Sequence, residues 1–296
     1  MDYLEKYGYT PAEEAIASRI QAIADDRNAV ASPEVLKKCF SLMDLTTLKS
    51  NDTVESVCKL VDKVTRLTQE YPSYPLPASI CVYPNFATVV RDRRCSPELH
   101  VTTVASCFPS AQSFLEVKVQ ECVLAVRSGA DEVDIVLALN AFLAEDYAAA
   151  SREIREMKAA IDAEAAKQGR KVVLKVILET GLLATPERIA RASFLAMEAG
   201  ADFIKTSTGK VEVNATPMAA YVMCECIKAF YAKTGRKVGF KAAGGISNDQ
   251  DALLYYCIGA AILGEDWLNK DYFRFGVSRL GNSLMSAIEQ KTVSFF

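Results

Sequence analysis

Histidine is almost missing from this chain: among 296 residues only His100 carries an imidazole. Zinc sites built on two or three histidines are therefore excluded, and so is the HExxH arrangement. A Ser-His-Asp triad would have to use His100 itself. That residue ends a Pro97-Glu-Leu-His100 lead-in to an apolar run and is expected to be a polar strand-entry residue. Any enzyme built here must draw its nucleophile and proton carriers from lysines and carboxylates. The nine cysteines contain no CxxC pair and are scattered singly, apart from Cys224 and Cys226. An odd count without redox or metal spacing fits reduced thiols, with Cys58, Cys107, Cys122 and Cys257 as small core residues. No uninterrupted apolar stretch approaches the ~18 residues of a membrane span. The opening Met1-Asp-Tyr-Leu-Glu-Lys6 lacks the basic region and apolar core of a signal peptide. The expectation is a cytoplasmic protein without membrane association. Positive charge is not in surplus either. A net charge of −3 argues against a nucleic-acid or anionic-membrane surface, and any anion must be held by a local cluster of cations.

What is present points to one architecture. Half of the residues are apolar, enough for a full core. Short apolar runs recur at Leu42–Leu48, Ile80–Tyr83, Val101–Cys107, Glu132–Leu139, Val172–Leu178, Phe203–Thr206, Val238–Ala242 and Phe273–Val277. Nearly continuous Val, Ile, Leu and Phe is the pattern of parallel strands buried on both faces. Between the runs lie amphipathic segments with helix-start signals: Asp52-Thr-Val-Glu55 resembles a capping box, and Thr185-Pro186 and Thr216-Pro217 place a cap before a first-turn proline. Eight strands alternating with helices predict a (β/α)8 TIM barrel over residues 41–296, with a doubly wound open sheet as the alternative. Residues 1–40 are expected to form an N-terminal helical extension, with Pro11 in a first turn and Ile16, Ile20 and Ile23 along one face. It would pack outside the barrel or over its N-terminal end. The Glu70–Pro77 stretch, with three prolines, is expected to be a loop.

In such a barrel the chemistry gathers where the strands end. The first strand supplies Asp44 and Thr46, the second Cys81 and Tyr83, and the fourth Asp134. The fifth, sixth and seventh supply Lys175, Lys205 and Lys241. Unpaired charges are rarely buried, so lysines and aspartates embedded in apolar strands demand a reason. One reason is structural: an Asp–Lys network that sets strand register. The other is chemical. Two ammonium groups on neighbouring strands depress each other's charge, and the amine released can attack a carbonyl. Asp134 would then hold or relay a proton, with Lys175 as its electrostatic partner. A phosphate-type turn lies beside them. Thr208-Gly209-Lys210 follows the sixth run, Gly244-Gly245-Ile246-Ser247 the seventh and Gly276-Val277-Ser278-Arg279 the eighth. Turns of this kind offer backbone N–H groups, hydroxyls and cations to an anion.

At these residues the sequence resembles deoxyribose-phosphate aldolase, a Schiff-base aldolase family with a (β/α)8 barrel. The matching stretches include Met43-Asp-Leu-Thr-Thr-Leu48, Cys81-Val-Tyr-Pro84, Gly129–Asp134, Leu174–Gly181, Gly200–Lys210, Val213–Thr216 and Gly239–Ile246. The resemblance implies reversible cleavage of 2-deoxy-D-ribose 5-phosphate to acetaldehyde and D-glyceraldehyde 3-phosphate. It implies Lys205 as the Schiff-base lysine and Asp134 and Lys241 as proton donor and acceptor. Asp44, Thr46 and Cys81 would line the sugar end. The iminium is the electron sink, so the resemblance implies no metal or other cofactor. It also implies a sugar phosphate as the small-molecule partner. Self-association is left open. Four positions depart from the family's usual pattern: Ala242 for a proline, Ser247 for an arginine, Arg279 for a small residue, and Phe295-Phe296 for a terminal tyrosine. A barrel aldolase acting on another aldehyde, and a catalytically silent sugar-phosphate sensor, are the competing expectations.

Overall fold

The computed structural model describes residues 2–296. Eight strands pair in parallel, in chain order, and close into a barrel. They are β1 (Met43–Thr46), β2 (Ser79–Val82), β3 (His100–Val104), β4 (Glu132–Val136), β5 (Val173–Ile177), β6 (Phe203–Lys205), β7 (Gly239–Ala243) and β8 (Phe273–Val277). The β8–β1 ladder, with Asp44 opposite Gly276, joins the ends and rules out the open sheet. Five strands, β1 and β3–β6, are shorter than their apolar runs. The run Val101–Cys107 stops pairing at Val104 because Ser106 and Cys107 turn left-handed, with φ of 65° and 54°. The run Glu132–Leu139 ends at Val136, and its last residue already opens a short helix.

Three helices precede β1: α1 (Tyr3–Tyr7), α2 (Glu13–Val30) and α3 (Pro33–Ser41). The rest are α4 (Val54–Glu70), α5 (Ala87–Arg93), α6 (Leu115–Arg127), α7 (Leu139–Leu143), α8 (Tyr147–Ala166), α9 (Thr180–Leu183), α10 (Pro186–Glu198), α11 (Pro217–Thr234), α12 (Asp249–Leu263) and α13 (Leu280–Glu289). The first three pack on the outside of the barrel, α1 on α10 and α11, α2 on α12 and α11, α3 on α13 and α12. Tyr7 anchors α1 by stacking on Phe194 with ring centroids 4.4 Å apart. Pro11 lies ahead of α2 rather than in its first turn, since Ala12 caps the helix. The caps at Thr185 and Thr216 form as the sequence suggests, accepting from the backbone N–H groups of Arg188 and Ala219. The box before α4 is shifted by one residue. Thr53 and Ser56 cap the helix reciprocally, while Asp52 turns back to accept from Thr47 and the Lys49 amide. A carboxylate next to a hydroxyl and a free amide in its own turn is better satisfied there than at the helix start.

Phe295 and Phe296 fold onto their own chain. The Asn282 side chain accepts from both of their amides and donates to the Phe296 carbonyl. Phe296 packs against Phe40, and Phe295 lies edge-on to Tyr71 under the Arg66 guanidinium.

The pleat sorts side chains into two classes. Outward positions such as Val133, Ile135, Leu174, Val176, Ile204 and Phe240 join the helices in one apolar core. Inward positions carry the charges. Gly239 belongs to this interior because a Cβ there would sit 2.3 Å from the Phe203 ring.

Candidate active site

Register brings the inward charges together. Asp134 pairs across from Lys175 and Lys205 from Lys241, while Glu132 and Asp134 share a face two residues apart. Asp134 is the hub. Its Oδ1 accepts from Lys175 Nζ at 2.8 Å, and its Oδ2 from Lys205 Nζ at 2.9 Å and Lys241 Nζ at 2.8 Å. Lys241 also meets Asp44 Oδ2 at 2.5 Å. Beneath them Arg274 crosses the barrel from β8, holding Asp44 Oδ1 at 2.5 Å and Glu132 Oε1 at 2.6 Å. Glu132 binds Lys175 as well and ends the chain of contacts on His100 Nδ1 at 2.7 Å. The lone histidine is thus a strand-entry residue tied to the buried network.

The network holds three carboxylates (Asp44, Glu132, Asp134) against four cationic side chains (Lys175, Lys205, Lys241, Arg274). Burying a surplus charge is expensive, so the charge of at least one amine is disfavoured. Burial opposes ionisation of every carboxylate and lysine here, yet the balance differs from group to group. Three lysines together hold the Asp134 carboxyl far below the usual range. Asp134 and Asp44 outweigh burial at Lys241 and keep it protonated. Lys205 shifts the other way: burial first, then the Lys241 charge, outweigh its single Asp134 contact and lower it below the ordinary lysine range. Cys81, beside them, stays a thiol because burial raises it. A desolvated, neutral lysine is a carbonyl nucleophile. It follows that the acid limb of any amine reactivity at Lys205 lies below that of an exposed lysine. Lys241→Met removes a cation that depresses it, and is expected to move that limb up. The pH dependence of covalent trapping of an aldehyde at Lys205 measures it. An unchanged limb would remove Lys241 from the tuning.

Above the network opens a cleft of about 290 Å³ at the C-terminal ends of the strands. Lys205, 4% exposed, is the one member of the network on its wall. Of the residues singled out in the sequence, Thr46, Thr208, Gly209, Lys210, Gly244, Gly245, Gly276 and Ser278 line the cleft. Asp44, Cys81, Asp134, Lys175 and Lys241 do not. They are fully buried beneath it, where mutual pairing satisfies charges that the wall would leave in water. The three turns meet at one end, together with the side chains of Lys49, Ser247 and Arg279. There, among the described residues, the amides of Gly209, Gly244, Gly245 and Ser278 donate to no protein acceptor. Lys210 Nζ donates to the Leu48 carbonyl at 2.6 Å, tying the β6 turn to the loop after β1. Gly276 has a second use: a Cβ there would lie 3.0 Å from Lys241 Cε, so the bare backbone leaves that lysine room. Such an end is suited to a multiply charged anion, with Lys205 on the wall of the same cleft.

Four contributors escaped the sequence reading. Arg274 and Glu132 were visible as charges within apolar strands, and their parity with Gly276 and Asp134 would have placed them inside. Lys49 and Asn214 sit in loops with no periodic signal, and only folding brings them to the cleft. Among the described residues no cluster of three or more His, Cys, Asp or Glu is arranged to hold a metal ion. No helix is long and apolar enough to cross a membrane.

Comparison with known proteins agrees with this geometry. A Caenorhabditis elegans protein named "putative deoxyribose-phosphate aldolase" is 40% identical over 267 residues, covering 90% of this chain and 85% of its own. The solved aldolase QR15 is 28% identical, with a TM-score of 0.63 over 85% of this chain and 95% of that one. A tetrameric deoxyribose phosphate aldolase from Aeropyrum pernix shares the fold at 24% identity, with a TM-score of 0.64 over 95% of this chain and 98% of that one. The profile of the DeoC/LacD family aldolases matches residues 39–280, from the end of α3 to the start of α13. With the Lys205 cleft, the barrel and these matches in agreement, the chain belongs to the DeoC/LacD family of aldolases.

Proposed function

We propose that the chain reversibly cleaves 2-deoxy-D-ribose 5-phosphate to acetaldehyde and D-glyceraldehyde 3-phosphate through an imine on Lys205. One observation carries the reading: the only network amine that reaches the cleft is also the one whose charge is disfavoured. The neutral amine adds to the C1 aldehyde of the open-chain sugar, and loss of water gives an iminium. The C3 hydroxyl gives up its proton, the C2–C3 bond breaks, and its electron pair flows into the iminium to form an enamine. The three-carbon phosphate leaves as an aldehyde. Protonation of the enamine at C2 and addition of water then release acetaldehyde and the amine. Asp134 Oδ2 touches both Lys205 and Lys241, so it can pass a proton between them. As a carboxylate held ionised, it also stabilises the positive iminium.

The phosphate would sit at the end of the cleft formed by Gly209, Lys210, Gly244, Gly245 and Ser278. Arg279 offers there the cation that Ser247 does not. Arg279→Ala is expected to raise KM for the phosphorylated sugar roughly tenfold with little change in kcat. A change confined to kcat would place Arg279 elsewhere. The reading further takes the protein as cytoplasmic and, after the tetrameric Aeropyrum pernix relative, as self-associating, which light scattering in solution would test. The reaction itself is tested by incubating the protein with 2-deoxyribose 5-phosphate and measuring acetaldehyde release. Release that requires the phosphate group supports the reading. Turnover of other aldehydes alone would point to a different aldolase, and no turnover at all to a silent sensor.

A further inference from the structure

Glu179 is a buried carboxylate that the chemistry at Lys205 does not use. It follows β5, is 2% exposed, and is not on the wall of the cleft. Its backbone is left-handed, with φ 54° and ψ 58°, a conformation disfavoured for a residue with a Cβ unless its surroundings hold it there. They do so through the β6 turn. Glu179 Oε1 accepts from the Thr208 amide at 3.1 Å, and Oε2 from the Thr208 hydroxyl at 2.6 Å. The same hydroxyl accepts from the Lys210 amide at 3.1 Å. One residue further, the Thr180 amide donates to the Thr206 carbonyl at 2.9 Å. Gly181 lies so close to the chain after this turn that a Cβ would come within 1.9 Å of the Val213 carbonyl. The loop after β5 and the turn after β6 are therefore interlocked at three consecutive residues.

We infer that Glu179 is a positioning residue for anion recognition: by gripping Thr208 with both oxygens it sets the Thr208-Gly209-Lys210 turn so that the Gly209 amide and the Lys210 chain face the cleft. This rests on the reading of that end as a phosphate site. Gly209 reaches its φ of 78° readily, but a glycine followed by a lysine has no rigidity of its own. The rigidity comes from the two hydrogen bonds that bracket it, one from Glu179 to Thr208 and one from Thr208 to Lys210. A carboxylate beside an anion site would ordinarily repel the ligand. Here both oxygens are occupied by Thr208 donors, and the group is shielded from the cleft by the residue it holds. Burial pushes its carboxyl above the usual range, against the Thr208 hydrogen bonds and the Lys205 charge, which further limits the repulsion.

The test compares Glu179→Gln with the unaltered protein on 2-deoxyribose 5-phosphate and on unphosphorylated 2-deoxyribose. Inorganic phosphate serves as a competitive inhibitor and borohydride trapping of acetaldehyde at Lys205 as a control. Glutamine fills the same space but replaces one of the two accepting oxygens by an NH2 donor, so it cannot meet both Thr208 donors in the present geometry. The expected result is a KM for the phosphorylated sugar and a Ki for phosphate both raised roughly tenfold. The kcat for either sugar and the trapping rate should change less than twofold. Equal losses on both sugars, or no change on either, would overturn the inference. Should Glu179→Gln fail to fold, Glu179→Asp withdraws the carboxylate from Thr208 by one methylene and must show the same split. If the unaltered protein traps no acetaldehyde or does not distinguish the two sugars, the underlying functional reading fails first.

Discussion

Lys205→Met should abolish covalent trapping of acetaldehyde by borohydride and lower kcat by about 10⁴-fold or more, while leaving the fold intact. The loss in rate follows from removing the one network amine on the cleft wall, since groups that act as one unit fail together. Preservation of the fold is the more demanding half of the expectation. Lys205 contacts only Asp134 within the network, and Asp134 keeps Lys175 and Lys241 when it is gone. The remaining charges are three carboxylates and three cations, so the variant buries a balanced set. Methionine also fills most of the lysine stem's volume. Peptide mapping of the reduced adduct, with thermal unfolding of both proteins, checks the two halves together. A two-carbon adduct surviving in the variant would move the nucleophile elsewhere. A steep fall in melting temperature would mean that Lys205 is charged in the fold and supports it.

Asp134→Asn should have the opposite profile: loss of activity together with a large loss of stability. Asp134 accepts from three lysines at 2.8–2.9 Å, and neutralising it leaves Lys175, Lys241 and Arg274 facing only Asp44 and Glu132. Removing one partner of a buried ion set costs about 3–5 kcal/mol, because the others stay buried and uncompensated. That is a large part of a typical stability of about 5–15 kcal/mol. The sign with pH is fixed by the depressed carboxyl. Its stabilisation is present above the unfolded value of about 3.9 and is lost only as pH falls through the lower folded value. The difference between the two proteins should therefore hold across neutral pH and shrink in strong acid. Combining Asp134→Asn with Lys241→Met restores equal charge, two against two. Denaturant unfolding should find the double variant more stable than Asp134→Asn alone. Additive losses would instead mean that the two side chains do not share one electrostatic balance.

These two variants differ because the barrel interior is ionic rather than apolar. The more usual filling is layers of branched aliphatic residues. Here Arg274 occupies the lower interior and the Asp134–lysine cluster the upper, while the apolar residues of the same strands face the helices. The sequence made part of this visible. Lys175, Lys205, Lys241 and Asp134 each interrupt a run of Val, Ile and Leu, and a charge in such a run must be paired within the protein. The glycine turns after the sixth and seventh runs were legible for a related reason, since few other residues adopt the left-handed angles of Gly209, Gly244 and Gly245. Arg274 and Glu132 interrupt apolar strands in the same way, and their two-residue spacing from Gly276 and Asp134 carried the face of the pleat they occupy.

By itself the sequence determined the alternation of strands and helices and the helix caps at Thr185 and Thr216. It also determined the strand ends that carry amines and the turns that carry free amides. Each of these depends on interactions within a few residues: hydrophobic period, side-chain to backbone hydrogen bonds, or permitted backbone angles. The tertiary structure alone decided the rest. Closure of β8 on β1 carried Arg274 across to Glu132, and register set Lys205 against Lys241. Burial then drew Lys205 below its usual range while Asp44 and Asp134 held Lys241 above it. Two lysines of the same intrinsic chemistry became different groups because their fates depend on charges distant in the chain, Asp134 for both, Asp44 for Lys241 and Lys241 for Lys205, which only the closed barrel brings close.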